Sequence, residues 1–161
     1  MYLKGIDMQI SSKKAFTMIE LIFVIVIVGI LAGIAVPRLA ATRDDAIITK
    51  AIATVGSVRS AVAIERKKRI LRGEFDPILK LSSSTTAGAA IFDGFDGNTS
   101  NPVLEYGLRS CKTGTTKGCW VATSDTVYTY KMPVSGSVAF TLSNNRFDCP
   151  TSNANCLLLT K

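Results

Sequence analysis

Histidine is absent from the chain. That removes the commonest general base and the commonest transition-metal ligand, and turns the reading away from enzyme chemistry. Serines and lysines abound, but no spacing singles out a catalytic Ser-Lys pair. Tryptophan occurs once, as Trp120, in a stretch where core or sheet packing accounts for it better than a ligand platform does. Charge is scarce in one long run: across residues 16–36 the only ionisable side chain is Glu20. As a helix those 21 residues would be roughly 31 Å long, close to the ~30 Å hydrocarbon thickness of a bilayer. The run is long enough to span a membrane.

An ionisable group within a spanning helix costs roughly 2.5–3.5 kcal/mol at mid-bilayer, and less near an end, so Glu20 asks for a partner or a function. It lies one helical turn beyond Phe16. A cut between Ala15 and Phe16 would place a new α-amino group near the membrane face. A neighbouring copy with the same cut, displaced by about one turn, could then set its own amine against Glu20. Such a device is self-complementary and favours assembly.

Lys13-Lys14-Ala15, then Phe16-Thr17-Met18-Ile19-Glu20, then an apolar helix reaching Pro37, resembles the N-terminal signature of type IV pilins and of the pseudopilins of type II secretion and competence systems. The likeness covers about residues 13–43. It implies cleavage by a prepilin peptidase before Phe16, methylation of the Phe16 amine, and a filament in which Glu20 pairs with the amine of an adjacent subunit. The family usually has Gly before the cut, where this chain has Ala15, the next smallest residue. The implied partners are pilin-like subunits, the peptidase and the bacterial inner membrane, with nucleic acid added only for a competence pilin. The implied fold is α+β, a long helix packed on a small antiparallel sheet.

The resulting organisation is a leader at 1–15, an assembly helix at 16–37, its amphipathic continuation at 38–72, a connecting loop at 73–110 and a cysteine-bearing sheet at 111–161. Met8 is a second candidate start. The net charge of +7 falls to +5 when residues 1–15, with three lysines and one aspartate, are removed. Lys13 and Lys14 favour an N-in, C-out single pass, against the vote of Arg38 and Arg43. An uncleaved signal anchor or a secretory signal is the plainer alternative, but the apolar run exceeds an ordinary signal's roughly 7–15 residues. Gly29 and Gly33 form a small-xxx-small pair that lets helices approach closely, and Pro37 is where the helix could bend.

Beyond Pro37, Ile48, Ala51, Ile52, Val55, Val58 and Val62 recur at three and four, with Arg43, Asp44, Lys50, Arg59 and Glu65 between them. The helix is predicted to continue to about Leu71, with Gly73 as its stop signal. The run Glu65-Arg66-Lys67-Lys68-Arg69 with Arg72 then complements the helix dipole, or forms a patch for DNA or acidic lipid. Residues 73–110 read as a loop or short helix, which the resemblance makes variable and exposed. Within it Asp93, Asp96 and Asn98 could supply oxygen ligands to calcium, as in some pseudopilins, although the bidentate Glu of the EF-hand is missing and turn chemistry explains the same residues. No other cofactor is indicated.

From Cys119 onward, residues 120–122, 126–132 and 137–143 read as strands, and a single face of a meander packed on the amphipathic helix accounts for Tyr128 and Tyr130 together with Val138, Phe140 and Leu142. Cys111, Cys119, Cys149 and Cys156 allow three pairings that the sequence does not choose between. Short loops favour Cys111 with Cys119 and Cys149 with Cys156, each contributing roughly 2–2.5 kcal/mol. The C-x7-C and C-x6-C spacings are not those of zinc ribbons. Disulfides place this part in an oxidising compartment. The mature protein is therefore expected to begin at a methylated Phe16. N-terminal mass analysis of membrane-extracted protein checks this, and a start at Met1, Met8 or after Ala35 would contradict it.

Overall fold

The structure is a computed structural model that describes residues 16–112 and 116–161. Ala15 and the rest of the 1–15 leader lie outside the described residues. Helix α1 runs over Met18–Leu71 with Pro37 inside it. The chain divides between Ala40 and Ala41 into two compact units. In the first, residues 16–39 are all exposed. This follows from composition: a helix that is apolar all round has no polar face to give to water and none to reserve for a core.

In the second unit the α1 stripe is buried as its period requires, with Ala51, Val55, Val58 and Val62 at 2% exposure or less. The next position of the 3–4 pattern is Glu65, and it too is buried, at 3%. The sequence reading put this carboxylate among the polar residues between the stripe positions. The structure corrects that. The helix ends where Gly73 adopts φ +78°, its N–H bonding Ile70 O at 3.0 Å while Glu74 N–H bonds Arg69 O at 2.9 Å. These are the paired bonds of a Schellman stop, which glycine makes at no steric cost.

The stripe shares one core with a four-stranded antiparallel meander. Its strands are β3 (Cys119–Ala122), β4 (Val127–Lys131), β5 (Ser137–Ser143) and β6 (Arg146–Asp148). Alternation selects the inner face, so Trp120, Tyr128, Tyr130, Val138, Phe140, Leu142 and Phe147 are all buried, as the pleat demands of a one-sided sheet. Trp120 is a core residue. β6 was not anticipated. It is joined to β5 through Asn144 and Asn145, both at positive φ (+50° and +57°), which is the two-residue turn that suits a right-twisted hairpin.

Two further parts of the chain differ from expectation. The connecting segment holds a small ladder, β1 (Ala90–Ile91) antiparallel to β2 (Leu108–Arg109), and contributes Ile78, Leu81, Ile91, Phe92, Phe95 and Val103 to the core. It is therefore a third layer of packing as much as a surface loop. The C-terminal part is not sheet alone, since α2 (Ala154–Leu159) follows β6, capped by the Asn153 side chain and burying Cys156 and Leu159.

Two tyrosines fasten these layers through their hydroxyls. Tyr128 OH accepts the Leu81 N–H at 2.7 Å and donates to Asp125 O at 3.0 Å; Tyr130 OH donates to Ile47 O of α1 at 3.3 Å. Burial raises both phenol pKa values above the ordinary one, in Tyr128 against the opposing pull of the Leu81 N–H. The folded state thus holds these protons more tightly than the unfolded chain. The stability they confer is whole below about pH 10 and is lost as pH rises through the raised values. Thermal melts across that range should show a falling Tm, with a shallower fall in Tyr130→Phe; an identical slope in the variant would contradict the assignment.

Candidate assembly segment and its companion loop

Phe16 is 77% exposed and Thr17 immediately precedes the first helical residue. The Thr17 hydroxyl accepts the Glu20 N–H at 3.3 Å, and its carbonyl accepts the Leu21 N–H at 3.2 Å. Thr17 is thus the N-cap of α1, and Thr17-Met18-Ile19-Glu20 has the spacing of a capping box, in which the fourth residue is Glu or Gln. The sequence reading overlooked this signal. A carboxylate in the first turn also faces the positive end of the helix dipole. Glu20 therefore has a local structural reason to exist, independent of any neighbour. Among the described residues no ion pair reaches it.

Further along, a Cβ added at Gly29 or at Gly33 would meet nothing within 4 Å. Nothing within the described chain requires glycine at either place. The most apolar 18-residue window of α1 has a mean hydropathy of 3.0 and no buried residue. Glu20, Gly29, Gly33 and Pro37 thus all belong to one exposed, nearly uncharged helical segment, which Phe16 precedes.

The cysteines pair as the short loops favoured: Cys111 with Cys119 and Cys149 with Cys156, with Cα separations of 5.6 and 5.9 Å. No described cysteine is free.

Each calcium candidate accepts hydrogen bonds from protein donors of its own. Asp93 accepts the Ser83 N–H at 2.8 Å and the Ser83 hydroxyl. Asp96 accepts the Leu79 N–H at 2.7 Å through one oxygen and Arg69 at 2.6 Å through the other. Asn98 accepts the Ser100 N–H at 3.0 Å. Their oxygens fasten the loop to itself and to α1. Gly94 allows the close turn, since a Cβ there would lie 2.4 Å from Asn98 O.

Arg69 is the link that the sequence did not reveal. It bonds Glu65 at 3.1 Å and Asp96 at 2.6 Å, with only 12% of its side chain exposed. Burial alone would lower its pKa, but the hydrogen bonds to Asp96 and Glu65 together outweigh that and hold it above the ordinary value. The basic run at the end of α1 is therefore not a uniform solvated face.

Comparison with known proteins bears on the N-terminal segment. Residues 10–36 match the model of the prokaryotic N-terminal methylation motif. The chain is 55% identical over 51 residues to the type IV narrow pilus major component PilA5 of Thermus thermophilus, covering 32% of this chain and 44% of that protein. The N-terminal segment is similar to that of a type IV pilus component and carries the methylation motif. A second relative, the type II secretion system core protein G of Klebsiella michiganensis, is 38% identical over 55 residues, covering 34% of this chain and 39% of its own length. The chain thus spans less than half the length of either curated relative. No solved structure matches it. The long helix and antiparallel sheets are consistent with a pilin-like α+β fold.

With each loop oxygen committed to a protein donor, Asp96→Ala is expected to cost roughly 1–2 kcal/mol, the value of a charge-assisted bond discounted for partial exposure. Calcium or a chelator should leave the Tm of the unaltered pilin-like protein unchanged. A rise in Tm with calcium that Asp96→Ala abolishes would reverse the assignment.

Proposed function

We propose that the chain is a structural, non-enzymatic subunit of a type IV pilus-like filament or of a type II secretion or competence pseudopilus. The observation that carries this reading is Glu20, one turn from Phe16 in a helical segment whose described residues are all exposed within the single chain. In a tether that carboxylate would serve only as the local cap of its own helix, whereas in a polymer of such helices it also supplies a counter-charge for a neighbour's amine.

In the proposed mechanism a prepilin peptidase cuts between Ala15 and Phe16, and the new amine is methylated. The helix rests in the bacterial inner membrane with its C-terminal unit on the extracytoplasmic side, a side that suits the two disulfides. On assembly the apolar segments leave lipid for one another, Gly29 and Gly33 allow close approach, and the amine of one subunit neutralises Glu20 of the next. Nucleic acid enters only if the system serves competence.

The capping-box geometry sharpens the test. Glu20→Gln keeps a residue that the box accepts and removes only the charge, so membrane insertion should be retained or slightly improved. Incorporation into filaments should fall by about tenfold or more, because a neighbour's amine would enter an apolar core uncompensated, at a cost of about 3–5 kcal/mol. Counting assembled subunits beside a wild-type control decides it. Normal assembly of Glu20→Gln would sink the pairing mechanism and leave Glu20 as a helix cap, whereas absence of assembly in the wild-type control would favour a tethered domain.

A further inference from the structure

The turn at residues 98–101 holds a chemical pattern that the fold does not consume. Asn98-Thr99-Ser100 reads Asn-x-Ser with no proline in the middle, and none of the other five asparagines in the sequence has Ser or Thr two residues on. This triplet is the acceptor pattern for an N-linked glycan.

Its placement suits that role. The Asn101 N–H bonds Asn98 O at 3.0 Å, so Asn98 opens a tight turn with Thr99 and Ser100 at the tip, and all three residues of the triplet are exposed. The turn stands on a fixed base, since the Asp96 carboxylate bonds Arg69 of α1 at 2.6 Å and the Asp96 N–H bonds Lys80 O at 2.9 Å. Turn chemistry explains the side-chain oxygen of Asn98, which accepts the Ser100 N–H at 3.0 Å, because an Asx turn needs that oxygen alone. Among the described residues no hydrogen bond engages Asn98 Nδ2 or the Ser100 hydroxyl. Those are the two groups the acceptor triplet supplies: a nitrogen that takes the sugar and a hydroxyl by which a transferase recognises it. The nearby hydroxyls of Ser82, Ser83, Ser84 and Thr86 are by contrast each bonded within the chain.

We infer that Asn98 is the acceptor for a glycan transferred from a lipid-linked donor on the extracytoplasmic face of the membrane. Asn98 Nδ2 attacks the anomeric carbon of a sugar held on a lipid pyrophosphate. The N–C bond forms, the C–O bond to the pyrophosphate breaks, the pyrophosphate leaves with the electron pair, and the amide gives its proton to a base of the transferase. Nothing is oxidised or reduced. An exposed loop tip accepts the added bulk without disturbing a packed layer, and the glycan covers the turn with a large hydrophilic surface.

This inference rests on the extracytoplasmic placement in the proposed function, and the test separates the two. The full chain is purified without reductant from the cells that make it and digested with trypsin. The peptide of residues 81–109 is then fragmented by electron transfer, which leaves sugars on their side chains. A saccharide mass on Asn98 is expected, stable to mild alkali as an amide link is and a serine link is not. It should be lost in Asn98→Gln and in Ser100→Ala and retained in Ser100→Thr, with circular dichroism showing Ser100→Ala folded as the wild type is. Bare Asn98 in a chain whose four cysteines are oxidised overturns the acceptor and leaves the extracytoplasmic placement standing. Bare Asn98 with free thiols overturns both. Saccharide that survives Ser100→Ala, or that lies on the hydroxyls of residues 82–86, overturns the assignment to Asn98.

Discussion

The first half of α1 displays an apolar surface that the chain itself never covers, and every other feature is arranged around that fact. From Phe16 to Leu39 the large side chains stand 41% exposed or more. At ~25 cal/mol for each square ångström such a surface cannot remain in water, so it must pass from one apolar environment to another. Lipid and a bundle of identical helices are the two environments that accept it. A carboxylate is tolerable in the first only near an end, and in the second only with a counter-charge. Glu20 meets the first condition by position, and on the proposed mechanism the neighbour's amine meets the second.

The globular unit solves a different problem with the same helix. Its α1 stripe is amphipathic, so the sheet needs to cover only one side. The Arg59 side chain bonds Phe147 O at 2.9 Å and Asp148 at 2.8 Å, occupying backbone at β6 that would otherwise invite another strand. The Glu65–Arg69–Asp96 chain ties the loop of residues 93–98 to the end of α1. Removing one member would leave a buried charge without its partner, which explains why a carboxylate can sit in line with valines.

Much of this was legible in the sequence where a period or a spacing carried it. The 3–4 repeat gave the buried stripe, alternation gave β3, β4 and β5, and the short cysteine loops gave both disulfides. What escaped lacked such a signal. Strands of two residues, as in β1 and β2, have no period to read, and α2 is only six residues long. The bond from Arg69 to Asp96 joins residues far apart along the chain, so no local window contains that link. Thr17 as N-cap was readable, but an apolar run drew attention from it. Asp93, Asp96 and Asn98, suggested as oxygen ligands, accept hydrogen bonds within the fold.

The central claim is a contact between subunits, and it can be measured without altering a residue. Filaments grown from a mixture of subunits, some carrying nitrogen-15 at Phe16 and others carbon-13 at the Glu20 carboxyl, report by solid-state magnetic resonance only on pairs that join different copies. The account predicts a strong dipolar coupling, corresponding to a separation within about 4 Å, the range of an ion pair. Assembled filaments with no such coupling would contradict it, and would leave Glu20 as a helix cap alone.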